Sequence, residues 1–125
     1  DYDYPLLYHN HDIEFAELDG RTAFDVLVEG TDTVDFELDI GLATYAGVDA
    51  ADVIETYADR IELVHCTDTH VDGDEMAHAT FGTGDVDYEP IFDAIEAAGI
   101  EWRLYENGSQ DDPEGELQNA RETFL

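Results

Sequence analysis

Four short stretches rich in apolar residues, at positions 6–8, 34–38, 61–64 and 101–105, are each followed by a longer segment whose apolar residues recur at helical spacing. Short stretches of this kind are typical of buried strands, and apolar residues three and four positions apart indicate amphipathic helices. Strands that alternate with helices along a chain favour an α/β fold with a parallel sheet. We therefore predict four strands alternating with four helices.

The first two helical segments carry recognisable start and stop signals. We expect the first helix to open after Asp19-Gly20 and to close at Gly30. Asp49 is placed to cap the second helix, because a short acidic side chain can accept hydrogen bonds from the free N–H groups of a first turn. Arg60 follows the last turn of that helix, just before the third strand.

The last two helical segments are delimited in the same way. Asp87 is placed to cap the third helix and Gly99 to end it, because glycine readily adopts the left-handed conformation that closes a helix. Asp111 or Asp112, followed by proline, begins a fourth helix that is expected to run to the end of the chain.

The length of the chain limits the architecture. At 125 residues it forms at most a single domain, residues 1–125, whereas a closed (β/α)₈ barrel takes about 250 residues. A parallel sheet of four strands would leave its inner face and both edges uncovered. We therefore expect the C-terminal half of a longer barrel or a pair of copies that form one, with an open doubly wound layer as the third option. The abrupt start favours a fragment or a half-gene.

The charge of the chain is extreme. Thirty-three acidic residues face four basic ones, giving a formal net charge of −29, and all four basic residues are arginine. Such a surface repels itself in dilute buffer, and molar salt shortens the screening length from roughly 10 Å to about 3 Å. We expect a protein suited to molar salt, as in a halophile, because periodic sequence and 43% hydrophobic residues argue against disorder.

This acidity also restricts the partners and the interpretation of single carboxylates. Binding to nucleic acid through phosphates needs clustered basic residues, and no apolar run is long enough to span a membrane. Seven carboxylates are predicted to be solvated surface charge: Glu37, Asp52, Glu55, Asp59, Asp93, Glu96 and Glu116.

The single cysteine, Cys66, cannot form an intramolecular disulfide and suits a reducing cytoplasm. Strand alternation turns it away from its neighbour His65, because successive side chains of a strand point to opposite faces. We predict that Cys66 is a small buried hydrophobic residue on the helix-facing side.

Each of the four predicted strands leads into residues that can bind a metal or carry a proton. Parallel strands in a repeat of this kind bring their carboxyl ends to one face of the sheet, so residues far apart in sequence converge there. The pattern predicts an active site at that face. Its candidate residues, in chain order, are His9, His11, Glu14, Asp39, His65 and Glu106.

The residues around these candidates form motifs that keep their order over nearly the whole chain. Residues 8–15 are YHNHDIEF, residues 36–41 are FELDIG, residues 57–68 are YADRIELVHCTD, and residues 82–87 are GTGDVD ahead of Tyr105-Glu106. Together they resemble the second half of the sugar-phosphate isomerase/epimerase family, the xylose-isomerase-like TIM barrels related in fold to endonuclease IV. The resemblance implies a (β/α)₄ half-barrel whose strands correspond to strands five to eight.

The resemblance also implies a metal site. In that family one divalent metal, commonly Mn²⁺, Mg²⁺, Co²⁺ or Zn²⁺, is held at the mouth of the barrel by Glu, Asp, His and Glu. The last three of these correspond to Asp39, His65 and Glu106. For the first ligand the resemblance favours Glu14, just beyond the His-Asn-His pattern, with His9 as the competing choice.

The chemistry of these residues agrees with that implication. Mixed carboxylate and imidazole ligands suit a borderline divalent cation that leaves positions open for substrate oxygens. Such a metal stabilises an enediolate, and a carboxylate on each side of the substrate can move the proton. Glu106 and Glu14 form the predicted pair. His9 and His11 are expected to contact substrate hydroxyls or to share in the proton transfer.

Other polar residues near these strand ends have less defined roles. Asp68 is either a partner that orients His65 or a simple loop carboxylate. His70 and His78 are expected in a loop over the mouth and outside the ligand set. The glycines of residues 82–84 are too few for a phosphate-binding loop and indicate a turn.

Three classes of function follow. The first is a metal-dependent isomerase or epimerase of a small sugar or polyol, or a dehydratase of the inosose or dehydroshikimate type, complete only with a second half-barrel. Leu42 stands where ketose 3-epimerases of the family often have histidine, which weakens that specific reading. The second class is a non-catalytic half-barrel. The third, an endonuclease IV-like nuclease, lacks the basic surface that DNA binding requires.

Overall fold

A computed structural model describes residues 5–73, 77–108 and 112–124 of the chain. Asp111, the alternative start of the last helix, lies outside these residues. All four predicted strands are found, each shifted by a residue or two, together with one short hairpin. The strands of the described residues are β1 (Leu7–His9), β2 (Glu17–Leu18), β3 (Arg21–Thr22), β4 (Asp35–Asp39), β5 (Ile61–Cys66) and β6 (Trp102–Tyr105).

The main sheet has the strand order β1-β4-β5-β6, and every neighbouring pair in it is parallel. Each connection therefore steps to the next position in the same direction. A doubly wound sheet reverses its strand order at a switch point, and no such reversal occurs in this sheet. The four parallel strands and their flanking helices form part of a TIM-barrel-like α/β fold, as predicted from the alternating pattern.

Five α-helices flank the sheet within the described residues. They are α1 (Ala23–Gly30), α2 (Ile40–Tyr45), α3 (Ala50–Thr56), α4 (Tyr88–Ala98) and α5 (Pro113–Phe124), and a 3₁₀ turn spans Asp12–Phe15. Four of them match the predicted helices, whereas α2, which follows β4 without a loop, was not predicted. None of the helices in the described part of the chain combines the length and the apolar character needed to cross a membrane.

The predicted helix ends are largely in place. The Asp49 carboxylate accepts hydrogen bonds from the backbone N–H groups of Ala51 and Asp52, which caps α3. Asp87 occupies the cap position of α4 without a side-chain hydrogen bond, and Gly99 ends that helix in the left-handed conformation with φ 73°. Asp112 caps α5, because its carboxylate accepts a hydrogen bond from the backbone N–H of residue 115 at 3.1 Å.

The start of the first helix was predicted wrongly. Asp19 and Gly20 both have positive φ, 54° and 83°, and they form the two-residue turn of the β2-β3 hairpin. Asp-Gly favours this kind of turn because both central residues must be left-handed. The actual cap of α1 is Thr22, whose hydroxyl accepts the Asp25 N–H at 3.0 Å while the Asp25 carboxylate accepts the Thr22 N–H at 2.7 Å.

The hydrophobic core lies between the sheet and its helices. Phe36, Leu38, Val64 and Cys66 of the two central strands are buried against them. Phe24 of α1 packs against Phe36 with ring centroids 5.3 Å apart. The prediction for Cys66 is confirmed, since its side chain is completely buried, and burial raises the pKa of its thiol to about 12.

The opposite face of the sheet has no such cover within the described residues. Parallel pairing places Leu63 of β5 beside Trp102 of β6, and His65 beside Leu104, so these side chains share the inner face. Trp102 is 65% exposed and Leu104 is 41% exposed. Large apolar side chains are seldom left in water at the open edge of a sheet. The inner face around Trp102 and Leu104 therefore has the apolar composition that is typical of a protein interior.

The prediction of solvated carboxylates is confirmed for five of the seven residues, which are exposed: Asp52, Glu55, Asp59, Asp93 and Glu96. It is wrong for Glu116, which is only 8% exposed. The Glu116 carboxylate accepts hydrogen bonds from the Phe81 backbone N–H and the Tyr105 hydroxyl, so it joins α5 to the loop before α4. Glu37 also differs from the prediction, because it lies on the inner face beside the candidate site.

Candidate functional site

The register of the parallel strands brings the predicted site residues to one edge of the sheet. Asp39 in β4 pairs with His65 in β5, and His9 in β1 pairs with Glu37 in β4. Glu106 directly follows β6. Because side chains of paired residues in neighbouring strands point to the same face, these groups lie at the carboxyl mouth of the inner face, as expected for a TIM-barrel-like sheet.

Four of these side chains form a compact cluster. One ligand atom from each of His9, Asp39, His65 and Glu106 lies within 4.8 Å of every other one. His65 Nδ1 is 3.2 Å from His9 Nε2 and 2.8 Å from Glu106 Oε2, and His9 Nε2 is 3.7 Å from Asp39 Oδ2. Asp39 is buried, both histidines are half-buried, and the Glu106 side chain is 51% exposed. The cluster is therefore closed toward the sheet and open toward the mouth.

The donor set fits a single divalent cation. Two ligands of one Zn²⁺ or similar ion, each at about 2.1 Å, lie at most about 4.2 Å apart, so small rotations would bring all four groups into range. Two imidazole nitrogens with two carboxylate oxygens suit Mn²⁺, Co²⁺ or Zn²⁺, whereas Mg²⁺ prefers oxygen ligands alone. The two carboxylates also balance the charge of the cation.

Asp39 is held in place through its backbone by a buried asparagine. Asn10 is fully buried, its Oδ1 accepts the Asp39 backbone N–H at 2.8 Å, and its Nδ2 donates to the Asp39 carbonyl at 3.4 Å. This pair ties the end of β1 to the end of β4. Asn10 was not among the predicted site residues, although its place between two candidate histidines was a usable signal.

The side chain of Asp39 is oriented by the same local structure. Its Oδ1 accepts hydrogen bonds from the Leu42 backbone N–H at 2.8 Å and from the Thr67 hydroxyl at 2.6 Å. Asp39 thus caps α2, the helix that the sequence did not predict. Because Oδ1 is occupied, Oδ2 is the oxygen that faces His9 in the cluster.

His65 has a carboxylate on each side of its ring. Nδ1 faces Glu106 and His9 in the cluster, while Nε2 contacts Oε1 of Glu37. Glu37 and His65 are each 18% exposed. The prediction that Glu37 is solvated surface charge is therefore wrong: positions 35, 37 and 39 of β4 share the inner face by strand alternation.

The structure separates Glu14 from the cluster. Its carboxylate accepts hydrogen bonds from the Tyr8 hydroxyl at 2.8 Å and from the His11 backbone N–H at 2.6 Å, within the 3₁₀ turn. Partial burial acts to raise the pKa of Glu14, but these hydrogen bonds outweigh it and lower the pKa. Glu14 therefore lies outside the cluster, whereas His9, the competing choice, is one of its four members. The identity of the first ligand stays a prediction.

His11 lies beside the cluster and outside it. Its ring packs edge-on against His9 with centroids 5.6 Å apart, and the residue is exposed. Together with Ile13, Tyr45 and Val71 it lines an open groove on the outside of the mouth. His11 is thus placed to meet a molecule that approaches the cluster from solvent.

Of the two roles considered for Asp68, the structure agrees with the loop carboxylate. Its buried carboxylate accepts backbone N–H bonds from Thr69, Gly82, Gly84 and Val86, at 2.8 to 3.4 Å. The acid holds together the loop that precedes α4, including the two glycines that were predicted to make a turn. The carboxylate that contacts Nε2 of His65 belongs to Glu37.

The two remaining histidines of this region lie outside the cluster formed by the described residues. His70 Nδ1 is 3.7 Å from Asp85 Oδ2, and both side chains are about half exposed. His78 forms an antiparallel bridge with Thr69. Their exclusion from the ligand set agrees with the expectation from sequence.

Comparison with known proteins gives the class of fold. No family model matches the chain. Among solved structures, a sugar phosphate isomerase/epimerase from Parabacteroides distasonis is similar at a TM-score of 0.69 and 25% identity, over 92% of this chain and 42% of that one. A xylose isomerase domain protein from Planctomyces limnophilus is similar at 0.65 and 16% identity, over the same shares. The structural neighbours are thus sugar phosphate isomerases/epimerases and xylose-isomerase-like proteins, as the motifs predicted.

One curated relative is an inosose dehydratase from Clostridium perfringens. It is 29% identical in an alignment of 123 positions, and the match covers 85% of this chain and 41% of that protein. The chain thus spans about two fifths of the length of the relatives it resembles.

Proposed function

We propose that the chain carries the metal-binding half of the active site of a sugar or polyol isomerase or epimerase. The observation that carries this proposal is the cluster of His9, Asp39, His65 and Glu106 at the carboxyl end of a parallel sheet. The similarity to sugar phosphate isomerases/epimerases supports it. The reaction is the removal of a proton beside a carbonyl group, through an enediolate, and its return to the same or the neighbouring carbon.

A bound divalent cation would polarise the substrate carbonyl and so make the neighbouring C–H bond more acidic. Within the chain, all four cluster residues would hold that cation, and Asp39 and the two histidines are its more buried ligands. Glu106 is the most exposed member and is therefore the group that can reach a substrate carbon and accept its proton.

The second proton carrier differs from the sequence prediction. Glu14 is engaged by Tyr8 and by the His11 backbone, so we propose that it acts indirectly by fixing the turn that presents His11. The exposed His11 ring, packed against His9, is the group that would contact a substrate hydroxyl or exchange the second proton.

A dehydratase is the alternative, and the inosose dehydratase relative favours it. Both reactions begin when Glu106 removes a proton next to a carbonyl. In the dehydratase the electrons then expel a hydroxyl group from the adjacent carbon, and the departing oxygen needs a proton from an acid such as His11. The two candidates therefore use the same residues and differ in the product.

We also propose that residues 1–125 act as one half-barrel, equivalent to strands five to eight, whose inner face is covered by another half. That half is either a second copy or a further part of a longer chain. The exposed Trp102 and Leu104 support this proposal, because in a closed barrel such side chains are covered by the opposite strands. No role in nucleic-acid binding is proposed, since the chain has four basic residues against 33 acidic ones.

The proposed setting is the cytoplasm of a cell with molar internal salt. The unpaired, buried Cys66 suits a reducing compartment. The formal charge of −29 makes the folded chain dependent on screening by salt.

The test is hydrogen exchange into candidate substrates. The chain is incubated in molar KCl in D₂O with Mn²⁺ or Co²⁺ and with a series of ketoses, aldoses and inososes, and NMR follows deuterium at carbons next to the carbonyl. An isomerase or epimerase exchanges these protons with the carbon skeleton intact, whereas a dehydratase yields an unsaturated or diketone product.

The matched variants are Glu106→Gln and Glu101→Gln, which change the residues directly after and directly before β6. Glu101 is exposed and remote from the mouth, so its variant should exchange protons like the parent chain. Glu106→Gln should lose exchange at least 100-fold, within the range of general acid–base catalysis. A chain that binds metal yet exchanges no proton in any substrate would favour the non-catalytic half-barrel.

A further inference from the structure

Glu37 is an inner-face carboxylate that the proposed function does not use. It lies in β4 opposite Leu63 of β5, two residues before His65 on the same face. Two residues of strand correspond to about 6.6 Å, so the Glu37 side chain has to extend along the sheet to reach the His65 ring. It does so, and its Oε1 contacts His65 Nε2.

We propose that Glu37 is a positioning residue that fixes the orientation and the tautomer of His65. Its carboxylate accepts a hydrogen bond from the Nε2–H group, which leaves the lone pair of Nδ1 directed at the cluster. This inference rests on the proposed metal site, and it assigns to Glu37 the role that sequence analysis had considered for Asp68.

The competing arrangement puts the proton on Nδ1, where the Glu106 carboxylate lies 2.8 Å away. The two carboxylates differ in their exposure to water. Glu106 is 51% exposed and Glu37 is 18% exposed, so water competes much more strongly for Glu106. A less hydrated carboxylate is the stronger hydrogen-bond acceptor, and the proton is held on the Glu37 side.

The consequence for the cluster is direct. A histidine coordinates a metal through its unprotonated nitrogen, so a proton on Nδ1 would block the ligand atom that faces His9 and Glu106. Loss of a carboxylate that orients a metal-binding histidine typically weakens metal affinity by about 10- to 100-fold. Glu37 thus selects the tautomer of His65 that is able to bind the metal through Nδ1.

The length and the acceptor atom of Glu37 can be tested separately. Glu37→Gln keeps the length and a carbonyl oxygen that can accept the hydrogen bond from Nε2–H, whereas Glu37→Asp keeps the charge and is one methylene too short. Glu37→Ala removes both properties. Asp35→Ala is the matched control, because Asp35 is an acid on the same face of the same strand and contacts Arg60 instead of His65.

The first measurement is the ¹⁵N spectrum of His65 in the metal-free chain, at an alkaline pH where imidazoles are neutral and in molar KCl. We expect the Nε2–H form in the parent chain, in Asp35→Ala and in Glu37→Gln, and a shift to Nδ1–H in Glu37→Ala and Glu37→Asp. This readout does not depend on metal binding, so it separates failure of this inference from failure of the proposed function.

The second measurement is Co²⁺ affinity. Glu37→Ala and Glu37→Asp should bind about 10- to 100-fold more weakly than the parent chain, and Glu37→Gln within a few-fold of it. The inference is overturned if the His65 tautomer is the same in all variants, or if Glu37→Ala loses no more affinity than Asp35→Ala. If Glu37→Ala does not fold, the comparison of Glu37→Asp with Glu37→Gln takes its place. The same His65 tautomer and the same Co²⁺ affinity in these two variants would contradict the inference.

Discussion

The Thr67 hydroxyl donates a 2.6 Å hydrogen bond to Oδ1 of Asp39, and the same hydroxyl accepts the backbone N–H of Gly41 at 3.0 Å. Thr67 is completely buried. One side chain at the end of β5 therefore fixes both the carboxylate of a cluster residue and the first turn of α2. The orientation of Asp39 depends on a residue that neither binds a metal nor touches solvent.

Thr67→Val should weaken both stability and metal binding. Valine has nearly the same shape, but it leaves the Gly41 N–H without its partner and removes one of the two hydrogen bonds to Asp39 Oδ1. This should cost about 1–3 kcal/mol of unfolding free energy. Freed from one restraint, Asp39 should bind Co²⁺ about tenfold more weakly. Urea unfolding and a Co²⁺ titration in molar salt measure the two effects.

The control for this substitution is Thr44→Val. The Thr44 hydroxyl donates to the Ile40 carbonyl within α2 and has no contact with Asp39, so its loss should change stability by about 0.5 kcal/mol or less and leave metal affinity intact. Equal metal affinity in Thr67→Val and Thr44→Val would contradict the orienting role of Thr67.

Gly84 supports the loop before α4 in a way that a larger residue cannot. A Cβ at this position would overlap the buried Asp68 carboxylate and the backbone carbonyl of Thr69. Gly84→Ala should therefore lower the unfolding free energy by about 2–3 kcal/mol, as overpacking in a rigid site does. At Gly30, the last residue of α1, a Cβ meets no atom within 4 Å, so Gly30→Ala should be neutral or slightly stabilising.

Equal urea midpoints of unfolding for Gly84→Ala and Gly30→Ala would contradict this role of Gly84. Hydrogen exchange gives a sharper readout, because the N–H groups of Gly82 and Val86 donate to Asp68 and should lose protection only in Gly84→Ala.

The Tyr8–Glu14 hydrogen bond should make the stability of the fold depend on pH. It contributes to the lowered pKa of Glu14, so Tyr8→Phe should move that pKa back toward the ordinary glutamate value, about 4.3. A group whose pKa is lowered by folding stabilises the fold above its unfolded pKa and loses that contribution as the pH falls through its folded pKa. The stability difference between Tyr8→Phe and the parent should thus be present at neutral pH and shrink under acid.

Tyr57→Phe is the matched control, since the Tyr57 hydroxyl donates to Asp25 at 2.6 Å and helps to lower the pKa of that carboxyl. Carbonyl ¹³C titration should show a shift of Glu14 alone in Tyr8→Phe and of Asp25 alone in Tyr57→Phe. An unchanged Glu14 titration in Tyr8→Phe would refute the assigned cause.

The sequence predicted the sheet and the convergence of Asp39, His65 and Glu106 because both follow from strand ends in a βα repeat. The ligand from the first strand was harder to choose. His9 and Glu14 lie five residues apart, and only the 3₁₀ turn between them, which the hydrophobic pattern does not reveal, directs Glu14 to Tyr8.

Two errors of the sequence prediction have local physical reasons. Asp19-Gly20 was read as a helix start because the strands on each side of it are only two residues long. Glu37 was read as surface charge because most carboxylates of such an acidic chain are solvated. Glu37 lies two residues before Asp39 in β4, so both side chains point to the same face of the sheet. This spacing was the signal that placed Glu37 on the inner face.

The central claim is that His9, Asp39, His65 and Glu106 together hold one divalent cation. Equilibrium dialysis with Co²⁺ in molar KCl, where loose binding to the acidic surface is screened, tests it most directly. We predict one ion per parent chain, binding at least about 100-fold weaker in Asp39→Ala and His65→Ala, and no change in Glu62→Ala, an exposed acid of the same strand as His65. A parent chain that binds no ion, or Asp39→Ala and His65→Ala chains that bind it as tightly as the parent, would contradict the claim.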